Sequence, residues 1–368
     1  MPTPDGKIRY AVVGAGWISQ AAFMPGVAHT GNSVMTALVT GDPKKATALG
    51  KRYGITDVYH YDAWPAAIAS GRFDAVYLAL PNWQHREFAV PALEAGLHVL
   101  LEKPMATSED DCHAIEAAAT RGGAKLLVAY RLHFEPGTLE AIRLVREEAI
   151  GPATLFTSTF TQHVSRANHR AKNGFWAGPV ADMGPYPINA VRNLFGAEPV
   201  EVMAWGSRHP DFGYDFDDTV AIHLRFPGNR LAQLTVAYGL SKVSEYRLFG
   251  PGGDLVVSPA FAFPGPIAHR LTIGGTTTSK TFPACDQFGG ETQYFSDCIL
   301  KNLIPEPDGE EGRLDVRIIA AIERALQTGR TQQLPPMSRG KRPEPSQVRQ
   351  LPAITPPKLV NAAAPSDD

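Results

Sequence analysis

Four short stretches of the chain carry residues able to do chemistry together. Gly14-Ala15-Gly16 follows the apolar run Ile8–Val13. Leu80-Pro81-Asn82, with His85 just beyond, closes a second run; Glu102-Lys103-Pro104 closes a third, and Tyr130-Arg131 a fourth. Two glycines after a strand permit a tight turn and let the backbone approach a pyrophosphate. The first amides of the next helix, here from Trp17 and Ile18, then point at its oxygens. Ser19 stands where such a fingerprint has its third glycine. Polar groups at the carboxyl ends of parallel strands line the crevice where open α/β sheets take ligands. A lysine there, its pKa moved toward neutral by burial and nearby charge, can take a hydroxyl proton as hydride leaves the same carbon. A tyrosine beside such a lysine can do the same. Lys103 suits that role, with Glu102 to orient it; the plainer alternative is a surface ion pair.

These residues need a scaffold, and the first 130 residues describe one. Apolar runs at 8–13, 34–40, 74–80, 98–102 and 125–130, with a weaker one at 58–59, alternate with helical stretches at 17–29, 43–53, 64–69, 85–95 and 108–120. Continuous apolar runs predict strands covered on both faces, and the alternation predicts a doubly wound parallel sheet, a Rossmann domain over 1–130. After a helical piece at 137–148, strand-like runs follow one another at 153–163, 200–205, 219–226, 231–238, 245–249 and 254–258. Several alternate, as in Thr219-Val220-Ala221-Ile222-His223-Leu224-Arg225-Phe226, which predicts a sheet with one face on a core. Helices at 292–300 and 314–328 complete an α+β domain over 131–332, with a large, mostly antiparallel, open-faced sheet. The Pro-rich tail, 333–368, has little apolar periodicity and is expected to be poorly ordered.

The second strand bears on which dinucleotide fits. An acidic side chain at its end would hold a ribose 2′-OH, as NAD requires. The chain reads Val39-Thr40-Gly41-Asp42-Pro43-Lys44-Lys45. A hydroxyl and two lysines beside a helix start suit a 2′-phosphate, whereas Asp42 favours NAD if it points inward. NADP is expected, with NAD the less favoured choice.

Composition narrows the partners. The 368 residues are 44% apolar and 20% charged with a formal charge of −2, so nothing attracts nucleic acid or an anionic membrane. Cys112, Cys285 and Cys298 lie far apart with no zinc-ligand spacing, which points to reduced packing thiols and no metal. No basic stretch with an apolar core precedes Ile8, and no apolar run approaches a membrane span, so a cytoplasmic protein is expected.

The ordered set Gly14-Ala15-Gly16, Pro81-Asn82-x-x-His85, Glu102-Lys103-Pro104 and Asp182-Met183-Gly184-Pro185-Tyr186 resembles the glucose–fructose oxidoreductase / inositol dehydrogenase / rhizopine catabolism (Gfo/Idh/MocA) family. The resemblance runs over about residues 8 to 332, includes Gly309-Glu310-Glu311-Gly312, and is nearest to the glucose–fructose oxidoreductase branch. It implies that Lys103 is the motif lysine beside the nicotinamide, that Asp182 binds substrate hydroxyls, and that Tyr186 exchanges the proton while Lys103 holds its pKa down. In the inositol branch the position of Tyr186 is histidine. The resemblance further implies that Thr40, Gly41 and Lys45 meet the 2′-phosphate side and that Tyr61 contacts the cofactor. Leu80, Pro81, Asn82, His85, Glu102 and Arg131 then complete the cofactor site. Arg131 and Trp176 join Lys103, Asp182 and Tyr186 against the substrate, Trp176 under a sugar ring. Asn189 and Arg192 also match the sugar branch. The C-terminal sheet is expected to make a homodimer or homotetramer.

The function so implied is hydride transfer between the nicotinamide of NADP and C1 of an aldose, giving a lactone, alone or coupled to reduction of a second sugar. Alternatives are another polyol (an inositol, a deoxy-sugar or a dihydrodiol) and a non-catalytic nucleotide-binding protein. Two departures bear on the substrate. Trp176-Ala177-Gly178-Pro179 replaces a glycine-rich stretch, and the basic loop 165–172 suits either an acidic or phosphorylated sugar or plain solvation. The long N-terminal arm of the periplasmic relatives is missing, so tight cofactor retention by an arm is not expected. His98 and His133 read as structural, Trp64 and Trp205 as packing residues.

Overall fold

The computed structural model describes residue 3 and residues 5–261 and 263–365, which fall into two compact units. The first is built on β1 (Ile8–Val13), α1 (Met24–Val27), β2 (Ser33–Val39), α2 (Pro43–Tyr53), β3 (Asp57–Tyr59), α3 (Trp64–Ala69), β4 (Ala75–Leu78), α4 (His85–Glu94), β5 (His98–Glu102), α5 (Glu109–Gly122) and β6 (Leu126–Ala129). All six strands are parallel, in the order β3-β2-β1-β4-β5-β6. The order reverses between β1 and β4, so the crevice at their carboxyl ends is where such a sheet takes its ligand. Local chemistry sets the helix limits. Asp42 caps α2, which ends at left-handed Gly54; Ser108 caps α5, which ends at left-handed Gly123. A π-helical turn, Ser19–Phe23, leads into α1 within the predicted helix 17–29.

The second unit holds α6 (Pro136–Arg146), β7 (Leu155–Gln162), α7 (Pro179–Asp182), α8 (Pro185–Phe195), β8 (Glu201–Ser207), β9 (Thr219–Phe226), β10 (Arg230–Tyr238), β11 (Val243–Gly250), β12 (Gly253–Val257), β13 (Ile267–Ile273) and β14 (Thr276–Phe282). After α9 (Gln287–Leu300) and α10 (Gly309–Thr328), the short β15 (Gln332–Gln333) completes a nine-stranded sheet, β14-β13-β12-β11-β7-β10-β9-β8-β15. Among the described residues of this sheet, only β7 and β10 pair in parallel. Val220, Ile222, Leu224 and Phe226 of β9 are buried while His223 and Arg225 are exposed, as the alternation predicts.

One element was missed and two expectations need correction. The β13–β14 hairpin was not legible, because β14 is Thr-rich and exposed along all but its last residue. Its turn, Gly274-Gly275, with both residues at positive φ, is the sequence signal that marks it. The chain is not divided sequentially at 130 and 332: Cys285–Val316 and Gln347–Ala364 belong to the first unit with Met1–Glu135. The tail is placed rather than loose, since backbone and amide hydrogen bonds hold it where apolar periodicity is lacking. Gln347 Nε2 donates to the Glu306 carbonyl at 2.9 Å, Arg349 N to Phe134 O at 3.0 Å, and Asp286 N to Leu351 O at 3.0 Å. Among the described residues no helix is long and apolar enough to cross a membrane.

Candidate active site

In the first unit, the glycine turn is where a dinucleotide fits or fails. Gly14 has φ of +93°, and a Cβ there would lie 2.5 Å from the Ala79 carbonyl oxygen, so the fold itself demands glycine. Gly16 is different. A Cβ at Gly16 would meet no protein atom within 4 Å, and its φ is not in the left-handed range. The fold does not need glycine there, and the space beside the backbone is open. Ser19, in the place of the third glycine, is buried and donates to Gly14 O at 2.5 Å, closing the turn with a side chain. The helical segment begins at Trp17, so its first amides have no partner within the helix.

At the end of β2, Asp42 is engaged by its own helix and by the tail. Its Oδ1 accepts from the amides of Lys44 (2.8 Å) and Lys45 (3.2 Å), and its Oδ2 from Asn361 Nδ2 (3.1 Å). Those bonds, Asn361's first, hold its carboxyl below the usual range. Asp42 therefore serves the helix and the tail. Thr40 is buried beside it, with Thr40 N bonded to Tyr59 O at 3.0 Å. A Cβ on Gly41 would lie 3.3 Å from the rings of His60 and Tyr61. Burial pushes the Tyr61 phenol up, partly offset by its hydrogen bond with Thr40. Thr40, Gly41 and Tyr61 thus share one patch, with Lys45 on the first turn of α2 next to it.

The motifs after β4 and β5 prove to be one structure. His85 is fully buried, its Nε2 2.9 Å from Leu80 O and its Nδ1 3.1 and 3.2 Å from the carbonyls of Pro104 and Met105. It ties the Leu80–Asn82 loop to the turn carrying Lys103, where the Lys103–Pro104 peptide is cis. Lys103 itself is half-buried. Glu102 accepts from Tyr77 at 2.7 Å; burial raises its pKa against the opposing charge of Lys103. Beneath this turn Gly312 earns its place, since a Cβ there would lie 2.9 Å from both Met105 and Val128. Arg131 is buried and bonded to the Gln287 side chain. Glu291 of α9 was not anticipated from the sequence. It is fully buried, neither carboxylate oxygen has a hydrogen-bond partner among the described residues, and burial together with Glu102 pushes its pKa well up. His133 pairs with Glu306 at 3.1 Å, and His98 Nδ1 accepts from Lys125 N at 2.9 Å, both structural roles as read from the sequence.

In the second unit, Asp182 ends α7 and Tyr186 lies in the first turn of α8. A Cβ on Gly184 would lie 2.2 Å from Val180 O, so glycine is what lets the chain turn so tightly between them. Tyr186 is held edge-on to Phe160 (5.5 Å between ring centres) and against Phe261 (5.9 Å). Asp182 Oδ2 accepts from the Tyr238 phenol at 2.8 Å and lies 3.3 Å from Arg170 Nε. Burial, then the Asp182 carboxylate, push the Tyr238 phenol well up, so it stays a donor. Burial disfavours the Arg170 charge, but Asp182 and the two tyrosines outweigh it and raise its pKa. No motif marked Tyr238; Arg170 was visible only as one charge of the basic loop. Trp176 donates to Glu323 Oε2 at 3.2 Å, and Arg192 is wholly buried in an ion pair with Glu198 at 2.6 Å. Trp64 is buried with its N–H on Phe88 O, whereas Trp205, expected to pack, is 56% exposed on the open face of the sheet.

A parallel sheet in this order, with a glycine turn at its first βα junction and a motif lysine after β5, defines an NAD(P)-dependent oxidoreductase. The chain belongs to the Gfo/Idh/MocA family. The model of its NAD-binding Rossmann fold matches residues 8–130, and that of the GFO/IDH/MocA C-terminal domain matches 138–256. The chain is 30% identical to D-xylose 1-dehydrogenase [NADP(+)] of Haloarcula marismortui over 90% of its own length and 94% of that protein. It is 36% identical to the aldose–aldose oxidoreductase of Caulobacter crescentus, whose structure with glycerol superposes with a TM-score of 0.83, covering 89% of this chain and all of that one. A 3-ketoreductase from Actinomadura kijaniata in complex with NADP, at 24% identity and a TM-score of 0.77 over 87% of this chain and 98% of that one, shares the fold.

Proposed function

We propose that the protein is an NADP-dependent aldose oxidoreductase, with Tyr186 as acid and base, Lys103 assisting it and Asp182 orienting substrate hydroxyls. When bound, the nicotinamide takes or gives the hydride at C1 of the sugar. Tyr186 takes the hydroxyl proton in the oxidative direction and returns it in the other. The positive charge of Lys103 favours the phenolate that this requires.

One observation carries the substrate class: Asp182 is fixed by Tyr238 and charge-balanced by Arg170, four residues before Tyr186. A fixed carboxylate suits neutral, hydroxyl-bearing substrates. Because Arg170 already answers Asp182, the basic loop has less charge left for an acidic or phosphorylated sugar. The relatives that act on D-xylose and on aldoses agree with this reading. NADP is preferred because Asp42 is committed to the start of α2, leaving Thr40 and Lys45 at the 2′ side. The exposed Leu155, Trp205 and Leu231 on the open face of the second sheet favour a homo-oligomer through that face. The buried free thiols of Cys112, Cys285 and Cys298 suit the cytoplasm.

The test is to purify the protein, release and identify any nucleotide, and follow nicotinamide absorbance with a panel of aldoses under NADP and NAD. Turnover with aldoses and NADP is expected. Turnover confined to inositols or other polyols would move the substrate; preference for NAD would remove the Thr40 and Lys45 assignment.

A further inference from the structure

We propose that the C-terminal segment Gln347–Ala364 is a working part of the nucleotide site, a strap that locks the glycine turn and the β2–α2 loop and keeps the nucleotide bound through the catalytic cycle. The proposal rests on the reading of those two loops as the nucleotide site. It starts from Gln20, a polar residue fully buried just past the glycine turn. Its amide nitrogen donates to Ala15 O at 2.9 Å and to Val360 O at 2.9 Å, and its Oε1 accepts from Val360 N at 2.7 Å. One side chain thus bridges the turn to the tail by pairing with both backbone groups of a single tail residue. A buried carboxamide is costly unless its groups are paired, and here two of three bonds come from the tail. The Val360 side chain also packs on the core cluster that contains Ala15.

The next residue makes the second contact. Asn361 Nδ2 donates to Asp42 Oδ2, while the other oxygen of Asp42 caps α2. Asn361 sits at φ of 44°, a left-handed conformation that asparagine tolerates better than most residues. Consecutive tail residues therefore grip the two loops that flank a dinucleotide's pyrophosphate and 2′ ends. Upstream, Gln347, Arg349 and Leu351 fix the segment to the same unit.

A retained nucleotide has a chemical consequence. One aldose gives up a hydride and a proton and leaves as the lactone. A second sugar, as its open-chain carbonyl, takes both and leaves as the polyol. The two half-reactions balance without free nucleotide.

The experiment compares the full chain with two full-length point variants, Asn361→Ala and Val360→Pro, the latter lacking the amide that Gln20 accepts. Nucleotide dissociation is timed by chase with excess unlabelled nucleotide, and the Tm of the nucleotide-free proteins is recorded. The wild type is expected to release nucleotide more slowly than it turns over two sugars. Each variant is expected to release it about tenfold faster or more, with dissociation rather than association changed. Equal release rates in wild type and Asn361→Ala, whose side chain is not a core group, overturn the strap. So does wild-type release that outpaces turnover. A wild type that binds neither NADP nor NAD overturns the nucleotide reading itself.

Discussion

The Tyr238 phenol, at the end of β10, donates to Asp182 Oδ2 across 2.8 Å, and Arg170 reaches the same oxygen. A strand end and a loop thus jointly set the direction of one carboxylate. Replacing Tyr238 by Phe leaves the shape and removes the bond. The KM for sugar should rise about tenfold, the worth of about 1.4 kcal/mol, with kcat changed much less. A fall in kcat at unchanged KM would place Tyr238 in the chemistry instead.

Tyr186→Phe should cut turnover by about 10²–10⁴, the usual worth of an acid–base group, and Lys103→Ala should do comparable damage. Nucleotide affinity and Tm should hold in Tyr186→Phe, measured by titration and thermal melts. Full turnover in that variant would remove Tyr186 from the mechanism.

The two glycines of the turn should separate cleanly. Gly14→Ala combines positive φ with a contact 2.5 Å from Ala79 O, and should lower Tm sharply or prevent soluble expression. Gly16→Ala adds a methyl group where no protein atom stands, so Tm should be preserved while nucleotide affinity falls at least about tenfold. If Gly16→Ala bound nucleotide normally, the turn would not be the pyrophosphate site.

Lys45→Ala should raise the KM for NADP by about 10–100-fold and leave that for NAD nearly unchanged, since only one of the two carries the extra phosphate. Equal losses with both nucleotides would detach Lys45 from the choice between them.

Burial pushes the imidazoles of His85, His98 and His269 down to about 4. An unfolded histidine titrates near 6.5, so the unfolded chain takes up these protons first. Stability is therefore complete above about pH 6.5 and is lost as pH falls from there toward 4. Tm measured across that window should decline, and His98→Gln should flatten the decline. A Tm that stays level from pH 7 to 4 would contradict the assignment.

Much of this was legible in advance. Continuous apolar runs gave β1, β4, β5 and β6 within a residue or two, because strands covered on both faces have no polar positions to blur them. The switch to alternation at Thr219–Phe226 announced a sheet with one open face. The motifs at Gly14, Asn82, Lys103, Asp182 and Tyr186 were readable because each combines a residue type with a strand or helix end. The edge strand β14 escaped, since exposed threonines leave no period of two, as did Glu291, on a helix anticipated only from residue 292.

The linear order of residues determined the two kinds of sheet, the glycine turn and the family motifs, because these depend on neighbours a few positions apart. Tertiary structure alone decided that Asp42 turns to its own helix, that Tyr238 and Arg170 hold Asp182, that His85 ties two motif loops together, and that Val360 meets Gln20 across 340 positions of chain. Hydrogen bonds between distant residues leave no periodicity behind; they exist only once the packed core has brought their partners within 3 Å or so.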